Sequence, residues 1–256
     1  MLIRPPIDIQ LARQLAKDAR NSESVRFNMK SCATSDYRKI ISKSLIGLII
    51  GLQLAACTST TIDEFRQGVT GIGSGESIVV LGRRQASDYE TRSEFVSCVG
   101  NQMTEGSNGI SVVPEQDFVD AMFPWFEPRT APLRTGDLER IMAEDVVARR
   151  MGDFGIRYIV WLDGFTETSD SSGSISCTIG PGGGGCFGFG SWEDDASFNA
   201  RIWDVGTFSS VGTIRADATG QSYVPAIVIP IPLIARVEAN ACSRLASQLK
   251  DFVNGS

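Results

Sequence analysis

The chain has 256 residues with a formal net charge of −6, but its two parts differ in sign. Residues 1–56 hold nine Lys/Arg and four Asp/Glu, a net of +5, which leaves 15 basic against 26 acidic residues, a net of −11, for 57–256. Such an acidic body disfavours nucleic acid as a ligand, because counterion release needs clustered Lys and Arg. The absence of histidine excludes Ser–His–Asp and Cys–His catalysis and every histidine-ligated metal site.

In chain order, the first feature is Arg38-Lys39-Ile40-Ile41-Ser42-Lys43 followed by a mostly apolar run, Leu45 to Ala56, that ends on Cys57. The run is shorter than the roughly 20 residues a membrane-crossing helix needs and has the flanks of an export signal. Leu54-Ala55-Ala56-Cys57 resembles the bacterial lipobox. That resemblance implies a diacylglycerol on the Cys57 thiol, cleavage just before it, and, with Thr58 next, sorting to the periplasmic face of the outer membrane. Two or three acyl chains anchor stably where one does not. An uncleaved membrane anchor is the alternative. Residues 1–56 are therefore read as a leader, with Met29-Lys30 as an alternative start. Residues 57–75, rich in Thr, Gly and Ser, are read as a flexible tether, and 76–253 as a periplasmic domain.

Glu76-Ser77-Ile78-Val79-Val80-Leu81-Gly82 predicts a buried strand. Ser87 and Glu90 fit a capping box, ahead of a helix bearing Phe95, Cys98, Val99 and Met103 at helical spacing. Ile110 to Val113 predicts a second strand, and Pro114 opens a helix with Phe118, Ala121 and Met122 inward. Phe123 to Phe126 is an aromatic knot. Thr135 caps a further helical region, broken in the middle, that runs to Gly155. Arg157 to Gly164 predicts a strand covered on both faces, and a polar Gly/Ser insert, 165–196, follows. Phe198, Ala200 and Ile202 alternate with polar neighbours, Asp204 to Gly206 predicts a turn, and Ser209 to Gln221 a third strand of this group. A last helix, about Ala235–Val253, aligns Val237, Ala241, Leu245, Leu249 and Phe252. The expected fold is α/β (α+β): a single domain with a mixed sheet packed by helices, in the order β-α-β-α-α-β-β-β-α.

Four cysteines lie beyond Cys57, an even number for an oxidising compartment. Cys177 and Cys186 flank a glycine-rich segment and could close it, leaving Cys98 to pair with Cys242 across the domain. Buried free thiols are the alternative, and scattered spacing without histidine disfavours zinc.

Three segments stand out as candidate sites. Gly180 to Gly190 brings glycines together with Phe187 and Phe189, and Trp192 follows. It lacks the Lys-Ser/Thr of a phosphate-binding loop, so it reads as a mobile loop or as a partner-binding tip. Glu193-Asp194-Asp195 could do acid/base work or hold calcium, but reads better as a solvated turn. Tyr223 to Ala235 carries Ile227, Ile229 and Ile231 among three prolines, which forbid a helix or a central strand. It reads as an extended connector or an exposed apolar surface. A Ser–Lys dyad stays open without any residue pointing to one.

The segments "GIRYIVWLDG" and "ARIWDVGTFSSVGTIRADATG" (155–164 and 200–220) look like those of envelope lipoproteins related to the curli-production transport family and to the amino-terminal domain of Tol-type translocation proteins. The resemblance, spread over residues 76–253, implies a fold and an envelope location. Curli-type pores need amphipathic membrane hairpins, and 165–196 lacks sustained alternation. The expectation is a non-catalytic, lipid-anchored envelope protein, without cofactor or metal, that binds a protein partner through Phe187, Phe189, Trp192, Ile227, Ile229 and Ile231. A ligand-binding protein or hydrolase using Glu193–Asp195, and an oligomeric export-pore subunit, are the alternatives.

Overall fold

The computed structural model describes residues 25–30, 58–83, 91–127 and 129–255. Its strands are β1 (Val25–Lys30), β2 (Thr58–Arg66), β3 (Ser77–Gly82), β4 (Val112–Val113), β5 (Ile156–Gly180), β6 (Gly183–Asp204) and β7 (Ser209–Pro230). Its helices are α1 (Ser93–Thr104), α2 (Glu115–Ala121), α3 (Thr135–Met142), α4 (Asp145–Asp153) and α5 (Val237–Asn254). One mixed sheet runs β1-β2-β7-β6-β5-β3-β4. β3 lies parallel to β4 and β5, and the remaining neighbours are antiparallel. This is the α/β class expected, in the expected element order from residue 76 onward. Thr135 is not the cap expected but the first residue of α3, with Arg134 in the N-cap position and no side-chain cap, and the helical region breaks into α3 and α4.

The apolar β3 sequence SIVVLG is buried at all six positions, because it is covered on both faces. On one face, α1 and α5 press Phe95, Val99, Met103, Leu245, Leu249 and Phe252 onto Val80, Val160, Phe198 and Ile214. Phe95 stacks on Phe198 with ring centroids 3.5 Å apart. On the other face, α2, α3 and α4 cover β3, β5 and the end of β6 through Phe118, Met122, Leu138, Val147 and Met151, around Trp161 and Trp203. Cys98 on α1 and Cys242 on α5 are disulfide-bonded, with Cα atoms 6.3 Å apart. The turn expected after Asp204 closes on that residue. Its carboxylate accepts the Gly206 and Thr207 amides at 2.7 and 3.1 Å and the Arg157 guanidinium at 2.8 Å.

Three further expectations need correction. Residues 58–66 are not a tether but β2, paired along its length with β7 from Thr58↔Gly220 to Arg66↔Gly212. Thr-rich sequence reads as linker by composition, yet β-branched threonines suit a pleated strand, and β7 offers an edge. Residues 67–75 are held too: the Gln67 amide bonds to Val211 O at 2.8 Å, the Gly71 backbone bonds to the Tyr158 hydroxyl, and Thr70 Oγ1 donates to the Phe252 carbonyl. Ser87 and Glu90 lie outside the described residues, and α1 starts only at Ser93, with Arg92 in the N-cap position and no side-chain cap. The insert 165–196 is not a loop, because β5, β6 and β7 run on through it.

Candidate functional site: a projecting β-arm

The helices cover only the first part of the long strands. Beyond the Leu162↔Ala200 pair, β5 and β6 continue as a hairpin to a turn at Pro181-Gly182. β7 accompanies β6 as far as Val228↔Cys186. After Pro230 the chain folds back along the outer edge of β7. Tyr223 and Leu233 exchange backbone bonds of 2.9 and 2.7 Å, the Ile231 amide donates to Pro225 O at 3.0 Å, and the Ala235 amide donates to Ser222 Oγ at 3.0 Å. The arm is thus three strands plus a return, ending where α5 begins. Pro225 sits inside a paired strand, contrary to expectation. It fits because its carbonyl, and therefore its missing N–H, points to the return side and not to β6.

Cross-strand rows place the side chains. Ser176, Phe187 and Ile227 form one row, and Ser174, Phe189 and Pro225 the next on the same face. The Phe189 ring lies 5.9 Å from that of Tyr223. The opposite face carries Ile175, the Cys177–Cys186 bridge, Val224 and Val228. The two bridged cysteines face each other directly across the hairpin, Cα atoms 4.0 Å apart. Neither face is polar on all three strands. Phe187, Ile227 and Ile229 are 60%, 78% and 69% exposed, and Ile231 is 58% exposed. Two segments read separately from the sequence therefore meet as one surface. Trp192 sits further down and is half-buried, its indole N–H donating to Asp194 at 3.1 Å. Tyr223 joins the face of Phe187 and Ile227, while Ile175, Ile179 and Val228 add exposed apolar groups on the opposite face. Of these, the sequence reading missed Ile175 and Ile179. Isolated among serines and glycines, the two isoleucines show no periodicity, and their exposure in β5 is the signal that identifies them.

The acidic triplet is not a turn but the middle of β6. Alternation splits it: Asp194 faces the α5 side, where it accepts from Thr168, Trp192 and Ser222, while Glu193 and Asp195 face the other way, Asp195 accepting from Ser169 at 2.7 Å. Three carboxylates on opposed faces cannot converge on one substrate atom or cation. Among the described residues no group of His, Cys, Asp and Glu is placed to hold a metal ion. Cys57 lies outside the described residues.

A second polar feature lies at the end of β3. Arg83 stacks over Trp161, 4.6 Å from the ring centroid, beside a cavity of about 50 Å³ lined also by Leu81, Glu115, Phe126 and Leu133. One terminal guanidinium nitrogen is buried without a hydrogen-bond partner among the described residues. Burial and the neighbouring Arg201 lower the Arg83 pKa, against the opposing pull of Asp163.

Together these features define a two-faced α/β domain from which a β-arm projects. No protein-family model matches the chain, and no curated protein matches it significantly. Solved structures that it resembles include two titled as PelC dodecamers from Paraburkholderia phytofirmans. They are 14% and 15% identical, with TM-scores of 0.33 and 0.34. Each match covers 75% of this chain, and 97% and 96% of the PelC chain.

Proposed function

We propose that the protein is a non-catalytic, lipid-anchored component of the bacterial envelope, held at the periplasmic face of the outer membrane through Cys57 and binding a partner through the arm. The observation that carries this is the adjacency of Phe187 to Ile227 on solvent-facing strands of one element. Large apolar side chains gathered in one exposed patch mark a contact surface. The sequence around Cys57 supports the anchor. In this reading β1 leaves with the leader, β2 becomes an edge strand, and the domain sits directly on its anchor with no tether.

A photo-crosslinking residue at Phe187 or Ile227, introduced in cells, tests the contact. The expected result is a crosslinked product that disappears in the Cys57→Ser variant. A full-length, acyl-free species by intact mass, resident in the cytosol, overturns the anchor. An export-pore subunit, the alternative open from the sequence, would instead run as a large assembly in detergent.

A further inference from the structure

The arm is graded across its strands. Residues 171–192 and 222–235 contain no charged side chain, in a body that is otherwise strongly acidic. Within that neutral zone, β5 contributes mainly small polar residues, Ser171, Ser172, Ser174, Ser176 and Thr178, all exposed. The opposite edge, formed by the end of β7 and its return, carries Ile227, Ile229, Ile231 and Ile234, each more than half exposed. The two edges also differ in backbone chemistry. Beyond Leu162 no described strand pairs with the outer edge of β5, so its amides and carbonyls need water. The outer edge of β7 is lined by the return, and Pro225, Pro230 and Pro232 have no amide to leave unsatisfied. Unpaired backbone groups cost several kcal/mol each in hydrocarbon, so the second edge, bonded to the return at Tyr223 and Pro225 and interrupted by prolines, suits acyl chains better than the first.

Position points the same way. β2 lies on the outer edge of β7 and starts at Thr58, opposite Gly220. Because the pair is antiparallel, Thr58 is the end of β2 nearest the arm, on the edge that carries the isoleucines. At the inner limit of the neutral zone stand Trp192 and Tyr223, residue types that favour a lipid–water boundary, and next to them Glu193, Asp194 and Asp195. The carboxylates mark where an apolar medium must end.

We propose that the arm lies in the interfacial layer of a phospholipid bilayer, with the isoleucine edge of β7 and its return turned to the acyl chains and the serine edge of β5 facing the headgroups and water. This rests on the reading of the arm as the contact surface and names its partner as lipid. One molecule then meets the membrane twice, through the acylated end and through the arm.

The test uses the mature chain, residue 57 onward, carrying Cys57→Ser, so that neither an acyl group nor the apolar run Leu45–Ala56 contributes, floated with vesicles of phosphatidylethanolamine and phosphatidylglycerol. The expected result is binding without the lipid anchor. Adding Ile227→Asp and Ile229→Asp lowers the partition at least about 100-fold, since two isoleucines lose their burial. Ser174→Asp, on the edge facing water, and Val69→Asp, on an exposed residue in the body, each leave it within about twofold. All four side chains are solvent-exposed, and an unchanged melting curve shows that the variants are folded. Failure of the Cys57→Ser chain to float, or equal binding by the double-aspartate variant, overturns the proposal. Loss on Ser174→Asp overturns the orientation and with it the proposal. If flotation fails while a protein crosslink at Phe187 survives, the contact surface stands and lipid is the wrong partner.

Discussion

Replacing Cys98 and Cys242 together by alanine tests how the two helices are held on the sheet. The bridge spans 144 residues, and in the chain-entropy picture a closed loop of that size stabilises by about 5 kcal/mol. Cys242 is 1% exposed, and its replacement also removes packing between α1 and α5. Measured disulfide contributions commonly fall below the entropic figure, so a loss of about 2–5 kcal/mol is expected. For a domain of this size each kcal/mol moves the melting temperature by roughly 2–4 °C, which puts the shift at about 4–20 °C. Urea denaturation followed by far-UV circular dichroism, with and without reductant, measures it directly. The same pair of changes at Cys177 and Cys186 serves as the contrast. That bridge joins strands outside both core clusters, so its removal frays the arm and leaves the main transition within about 1 kcal/mol. Loss of the long-range bridge at a cost under about 1 kcal/mol would refute the assignment of its stabilising role.

Phe198→Ala removes the ring stacked on Phe95 and costs about 3–5 kcal/mol by the usual range for buried aromatics, read from the urea midpoint. Gly212→Ala places a Cβ 2.5 Å from both the Phe252 ring and the Phe65 carbonyl oxygen. Overpacking of that kind costs about 1–3 kcal/mol, and a melting curve equal to the parent's would show that α5 yields there. Arg83→Met retains an aliphatic stem against Trp161 and removes a guanidinium nitrogen buried without a partner. Since an unsatisfied buried donor costs about 1–3 kcal/mol and a stacked cation returns only part of that, stability stays level or rises. A loss above about 2 kcal/mol by urea titration contradicts this account.

The core was legible where burial imposes a period. Phe95, Val99 and Met103 repeat at helical spacing because α1 hides one face, and Phe198, Ala200 and Ile202 alternate because β6 hides one. β3 and the start of β5 read as strands buried on both faces. Where water covers both faces, no such period is required. The distal half of β5 therefore looked like a polar insert, although its backbone continues the same ladder. β2 was hidden differently: its threonines are both linker-like in polarity and strand-forming in shape, and only the presence of β7 as a partner decides between the two. The candidate partner-binding residues were legible as types: Phe187, Phe189 and Trp192 as aromatics among glycine and serine, and Ile227, Ile229 and Ile231 as an apolar run interrupted by prolines. Their union into one surface was not, because it depends on the register between β6 and β7, which places Phe187 beside Ile227, 40 positions further along the chain. The acidic triplet misled by composition, since three adjacent carboxylates in a strand point alternately to opposite faces.

The strands that leave the core are the same strands that reach the tip, so reach and facing are counted in residues. Lengthening β5 and β6 by two positions each carries the tip about 7 Å further and keeps every row on its side. An odd insertion in one strand turns that strand over. The irregularity between Ser169 and Ser171 is one such odd step. It re-phases the end of β5 against β6, setting Ile175 and Ile179 on the face of the Cys177–Cys186 bridge instead of beside Phe187. Parity at a single serine-flanked position thus decides which side of the arm each of these isoleucines serves.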